Sequence, residues 1–293
     1  MTPIVRKEIL VTTDFSVNAL NAIKYAFAFS EITNSKIILL HALDSLQLSI
    51  SPSDKATKAE KEMLTLVDSL KLLFPHVACE CAIVQGNASD TIVDFIKQRN
   101  IQLLIIGTQG KGADKDNLIG STTEKIIAET PCTIIAIPPK AKFIGIHKVA
   151  IAIGLEEGGL LAINEAVILA KQLNAEITLV HVEDLELNYL EDVLYKMVVK
   201  LKRQTEYLKI FYHICKDLDI INGLNAFVRL NKPDILSMIT LHNKSFPKST
   251  GEHSWTNKMS HHTSIPVLIL HADKPNESKS SNNIEIDKPI STT

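Results

Sequence analysis

The sequence predicts an α/β protein built from two tandem, doubly wound domains, each with a five-stranded parallel sheet. Three observations carry this. Short apolar runs alternate with helix-length segments along the 293 residues, the order that produces a parallel sheet with right-handed crossovers. Runs such as Ile37–Leu40 and Leu103–Ile106 are continuously Ile/Leu-rich, as expected of strands covered on both faces. Residues 8–44 align without a gap to residues 148–184, with Leu20, Ala22, Ile23, Ala26, Ile37, Leu39, His41 and Asp44 recurring as Leu160, Ala162, Ile163, Ala166, Ile177, Leu179, His181 and Asp184. A repeat this long is a duplicated domain, not a solenoid unit.

In the first copy, Ile9–Thr13 reads as a strand. Asp14 and Ser16 are helix-capping types, and Ala19, Ala22, Ile23, Ala26 and Phe27 recur at helical spacing to about Ile32. The second strand is Lys36–Leu43, followed by a long helix from about Asp54 to Leu73 that ends near Pro75. A third strand, His76–Val84, a helix Ala88–Gln98 and a fourth strand Ile101–Ile106 lead to a glycine-containing loop. A helix Thr122–Glu129 and a last strand Cys132–Ile137 complete the copy.

The second copy repeats the order: strand Val149–Ile153, helix Gly159–Leu173, strand Glu176–Val182 and a helix over about Leu185–Arg203. Then come a strand near Leu208–Ile214, helix Asp219–Leu230, strand Ile235–Leu241, a short helix Ser254–His262 and strand Pro266–Leu270. The domains are expected at 1–141 and 145–272, with the join near Pro138–Ile146. The Ser-, Asn-, Pro- and Lys-rich tail 273–293 is expected to be disordered.

A net charge of −2 gives no bulk argument for nucleic acid or anionic membranes. No apolar run reaches the ~18 residues a membrane span needs, and the first residues lack a signal-peptide pattern. The four cysteines, Cys79, Cys81, Cys132 and Cys215, are too sparse for a disulfide framework. They fit a reducing cytoplasm and read as small buried hydrophobes.

The most informative stretch is Gly107-Thr108-Gln109-Gly110, then nine residues, then Gly120-Ser121. It lies between a buried strand and a helix start. Glycines there allow close approach to an anion and tolerate positive φ, while the helix start supplies N–H groups and a favourable dipole. Ser121 reads as a helix cap and a hydroxyl donor.

On these residues the chain resembles the universal stress protein family, whose nucleotide-binding members carry G-x2-G-x9-G-[S/T] at this place. Gly107, Gly110, Gly120 and Ser121 match every fixed position. Val11-Thr12-Thr13-Asp14-Phe15-Ser16 resembles the family's turn after the first strand, and Leu40-His41-Ala42 its adenine-contacting edge. The resemblance covers about residues 5–272 and implies a Rossmann-like fold of the adenine nucleotide alpha hydrolase type. It implies ATP, accompanied by Mg²⁺ or Mn²⁺, across the carboxyl ends of the strands.

In that picture Thr12, Thr13 and Ala42 line the nucleoside pocket, and Asp14 accepts from ribose or base. Ile106, Gly107, Thr108 and Gly110 follow the phosphates, while Gly120, Ser121 and Thr122 hold the distal ones. Lys111 and Lys115 lie in the loop, where they can screen charge, and Gln109 stands where many members have His.

The second copy loses these features. Gly154, Ile239, His242 and His253 stand at the positions of Asp14, Gly107, Gly110 and Gly120, and Ser254 alone keeps the type of Ser121. The first copy is therefore expected to bind nucleotide, and the second to replace the partner subunit of the family's usual dimer. A homodimer of the whole chain and an unidentified protein partner remain open. His41 and His181 recur in both copies, which favours a structural role. No P-loop and no G-x-S-x-G elbow occurs, so a regulatory ATP-binding protein is expected over an enzyme. A slow ATPase and a nucleotide-independent scaffold are the alternatives.

Overall fold

Every apolar run assigned to a strand becomes one in the computed structural model, which describes residues 8–43, 52–110, 120–130, 132–154, 160–183, 189–241 and 263–272. The first half consists of β1 (Glu8–Thr12), α1 (Val17–Thr33), β2 (Lys36–Leu43), α2 (Pro52–Lys71), β3 (Cys79–Gln85), α3 (Ala88–Gln98), β4 (Leu103–Gly107), α4 (Ser121–Glu129) and β5 (Thr133–Ile137). The second consists of β6 (Lys148–Ala152), α5 (Leu160–Gln172), β7 (Glu176–Glu183), α6 (Leu190–Thr205), β8 (Ile210–Lys216), α7 (Ile220–Asn231), β9 (Ile235–Leu241) and β10 (Val267–Ala272). The expected helix at Ser254–His262 and the tail 273–293 lie outside the described residues.

The strands do not form two separate sheets. They form one ten-stranded sheet in the order β3-β2-β1-β4-β5-β10-β9-β6-β7-β8. All neighbours are parallel except β5 and β10, which pair antiparallel and join the halves. The sequence repeat is also a repeat of register. Glu8 pairs with Lys36 as Lys148 pairs with Glu176. Leu10 faces Leu104 as Ala150 faces Leu236. At the junction Leu268 sits opposite Ile135, flanked by Val267 opposite Ala136 and Ile269 opposite Ile134. Since Leu268 and Ile135 hold the same place in their respective copies, this pair marks a pseudo-two-fold axis, the geometry of an isologous contact.

Helices cover both faces. One core packs α1, α2, α5 and α6 against the sheet and runs through both halves, with Phe27, Met63, Ile135, Leu194 and Leu268 all buried. The opposite core contains Ile92 and Ile96 of α3, Ile126 of α4 and Leu224 and Phe227 of α7. This two-sided burial is why the strands read as unbroken apolar runs.

Local signals place the element ends. Ser16 is the N-cap of α1, its Oγ accepting from Ala19 N at 3.1 Å, and Asn34 ends the helix in the left-handed region. Asp14 does not cap that helix, contrary to expectation. Its Oδ1 accepts from Ser16 N at 2.9 Å and shapes the preceding turn. The third strand starts at Cys79, later than expected, because Phe74 and Val77 N–H groups are used in a turn after α2. Among the described residues no helix is long and apolar enough to cross a membrane.

Candidate functional site

The sheet order leaves a crevice where the connections from β1 and β4 depart in opposite directions, at their carboxyl ends. Open α/β sheets bind ligands at this switch point. From β1, the buried Thr12 and Thr13 lead into the turn Asp14-Phe15-Ser16. Thr13 N donates to Leu40 O at 2.9 Å, and Thr13 Oγ1 accepts from Phe15 N at 3.0 Å. Phe15 has φ of +60°, an uncommon conformation for an aromatic residue and one that marks strain. Its ring rests 4.6 Å from that of His41.

From β4, Gly107 packs against the first turn of α1, so that a Cβ there would lie 3.2 Å from Asn18 O. Thr108 N donates to Ile137 O at 3.0 Å, and Gly120 N donates to Thr108 O at 2.8 Å, closing the base of the loop. The second glycine meets the turn after β1: a Cβ on Gly110 would lie 2.8 Å from Asp14 Oδ2. A Cβ on Gly120 would meet Gly110 N at an ordinary 3.8 Å. Asp14, Thr108, Gly110 and Gly120, far apart in sequence, thus converge.

The sequence reading attached positive φ to these glycines. Only Gly86 and Gly145 have it among the described glycines. At Gly107 and Gly110 close approach matters more than backbone angle: a Cβ at Gly107 would press on Asn18 O, and one at Gly110 would require the Asp14 carboxylate to shift.

Gly120, rather than Ser121, is the N-cap of α4, with no side-chain cap hydrogen bond; Ser121 is the first helical residue. First-turn N–H groups have no partner within a helix, and the N-cap Gly120 has no side chain to offer them. The helix start is instead anchored from behind, where buried Thr123 donates Oγ1 to Gly107 O at 3.2 Å. Lys125 of α4 pairs with Asp90 of α3 at 2.5 Å. Thr122 is half-buried beside this turn, and Ser121 is exposed.

Two expected residues contribute differently. Ile106 is buried in the core under α3 and α4, so it offers the crevice no side chain. Ala42 lies two residues beyond Leu40 on β2, opposite Val84. Gln109 accepts from Asn18 Nδ2 at 3.2 Å. Lys111 and Lys115 lie outside the described residues. Sequence reasoning missed a cleft of about 540 Å³ that opens beside Thr13 and Phe15, between Leu20 and Ile23 of α1 and Lys61 and Thr65 of α2. Its only sequence signal is the helical spacing of the α2 face.

In the second half, register places Ile239 where the first half has Gly107. The Ile239 side chain packs on the core under α5 and α6, filling space that Gly107 leaves clear. Gly154 follows β6 where Asp14 follows β1. His242, His253 and Ser254 lie outside the described residues. His41 Nδ1 meets Thr13 O at 2.7 Å, and His181 Nδ1 meets Ile153 O at 2.9 Å. The same tie in both copies gives these histidines a structural role. No group of three or more His, Cys, Asp or Glu that could hold a metal occurs among the described residues.

The fold and crevice define a doubly wound α/β protein of Rossmann-like type. Residues 6–138 match the model of the universal stress protein family. A universal stress protein of Methanocaldococcus jannaschii is 27% identical over 155 residues, 46% of this chain and 96% of the relative. One from Thermus aquaticus is 25% identical over 134 residues, 45% of this chain and 98% of the relative. At the level of fold, a universal stress protein structure from Archaeoglobus fulgidus superimposes with a TM-score of 0.71 at 17% identity. That match covers 90% of this chain and 98% of the other, so both halves share its architecture.

Proposed function

We propose that this protein binds an adenine nucleotide, ATP with Mg²⁺ or Mn²⁺, through its first domain (1–141). In this reading the second domain (145–272) is a degenerate copy acting as a built-in dimer partner, and the protein serves a regulatory role in the cytoplasmic stress response. The observation that carries the reading is the convergence of Asp14, Gly110 and Gly120 beside a helix start without a side-chain cap. Backbone N–H groups of the loop and of Ser121 and Thr122 would face the phosphates, where the helix dipole favours negative charge. Thr12, Thr13, Asp14 and Ala42 would hold the nucleoside. The metal ion would neutralise phosphate charge and keep most of its waters.

The loop residues fit such a ligand because Gly110 brings bare backbone, with no Cβ, against the Asp14 carboxylate. Ligand at 1,000 times its dissociation constant would stabilise the folded state by about 4 kcal/mol, enough to work as a switch.

Calorimetric titration with ATP–Mg²⁺ tests this. Wild type should bind, Asp14→Ala should lose about ten- to hundredfold in affinity, the worth of a charge-assisted hydrogen bond, and Gly110→Val, which sets a branched side chain against Asp14 Oδ2, should lose binding. Unchanged affinity in both variants refutes the site. Absence of heat in wild type favours the scaffold reading. Multiple-turnover phosphate release that Asp14→Ala abolishes favours the ATPase.

A further inference from the structure

Helix α1 carries a line of residues that the second copy does not keep. Asn18, Asn21, Tyr25 and Phe29 are replaced at the equivalent positions by Gly158, Leu161, Glu165 and Leu169. Their spacing of three, four and four places them on one helix face. The fold does not demand them, since the second half builds the same sheet without them.

Each touches something specific. At the crevice end, Asn18 Nδ2 donates to Gln109 Oε1 at 3.2 Å, and Asn18 O backs Gly107. One turn on, Asn21 Nδ2 donates to Pro138 O at 3.2 Å and to Ala141 O at 2.8 Å. These carbonyls belong to the chain that leaves β5 for the second half. The buried Tyr25 meets Phe143 of that linker edge-on at 5.0 Å, and Phe29 meets the same ring at 6.2 Å. Burial, then the charge of Asp234, raises the Tyr25 hydroxyl above its ordinary value. Asp234 Oδ2 in turn accepts from His147 N at 2.7 Å and Lys148 N at 2.8 Å, where β6 begins.

One stiff helix, about 25 Å long at 1.5 Å per residue, therefore touches the glycine loop at one end and the linker along the rest. We propose that α1 couples the two: Asn18 and Asn21 are positioning residues through which a nucleotide held by the loop tightens linker residues 138–147 and their hold on the second half. The proposal rests on the nucleotide reading above. Coupling of this kind is reciprocal, so disturbing the linker contact must change nucleotide affinity by the same factor that nucleotide changes the linker.

Amide hydrogen exchange of the full chain, with and without saturating ATP–Mg²⁺, tests it, with affinity measured in parallel by calorimetry. In wild type, exchange over 138–147 should slow by about fivefold or more on binding; Ala141 N, which donates to Pro138 O at 3.1 Å, is one reporter. In Asn18→Ala, saturating nucleotide should leave that segment unchanged. Asn21→Leu, which installs the residue type of the second copy, should lose the response and weaken binding by the same factor. Should Asn21→Leu not fold, Asn18→Ala alone decides. Nucleotide binding with no linker response in wild type, or a full response in the variants, overturns the coupling but leaves the nucleotide reading standing. No binding by calorimetry removes both.

Discussion

At Gly110 a single missing carbon decides what the site can be. The sequence located this residue by spacing, but the reason for a glycine differs from the expected one. Its φ is not positive, and a Cβ there would lie 2.8 Å from Asp14 Oδ2, so that the carboxylate would have to move. Asp14 itself looked like a helix cap because Asp and Ser both favour that place, and only the turn geometry separates Ser16, the cap, from Asp14. The cysteines follow the sequence reading in part: only Cys132 is fully buried, and Cys79, Cys81 and Cys215 are half-buried. All four are free thiols, and burial pushes Cys79 up to about 12, with Cys81 adding to the shift. Since the thiolate is the nucleophile, Cys79 should hold about a thousandfold less of it at neutral pH than a thiol titrating near 9. Its alkylation rate, followed against pH by mass spectrometry, should keep rising to about pH 12; a plateau near 9 contradicts this.

At the scale of elements, periodicity made helices and strands legible while their ends depended on local hydrogen bonds. The capping of α1 is a direct case. Ser16→Ala removes the Oγ–Ala19 N bond and should cost about 1 kcal/mol, read as a lower denaturant midpoint with unchanged slope. An unshifted midpoint would show that the turn around Asp14 holds the helix start without it. α4 behaves differently. It starts on a glycine with no side-chain cap and is held by Thr123 and Lys125 from its flanks. Sequence reasoning gave the cap to Ser121 because the residue type was right; the backbone places it one position inside.

Across the whole molecule, the duplicated register makes each half a near-complete doubly wound unit, but the sheet does not stop between them. β5 and β10 pair antiparallel, and one apolar core runs under both. The two halves should therefore unfold together. Scanning calorimetry of the full chain should give one transition, and Leu268→Ala, at the pseudo-two-fold pair with Ile135, should lower it by the equivalent of about 2–5 kcal/mol. Two well-separated transitions in the unmodified chain would mean that the shared strand pair does not couple the halves.

By itself the sequence determined the alternation of strands and helices, the duplication, the spaced glycines and their loss from the second copy. These are local or periodic properties, and each follows from burial on both sheet faces or from residue type at fixed separation. The tertiary structure alone decided that the halves share one sheet, that Gly110 lies close against the Asp14 carboxylate, and that α1 reaches both the glycine loop and the linker. Such facts depend on which distant segments meet, and hydrophobic periodicity records only that a residue is buried, not what it is buried against.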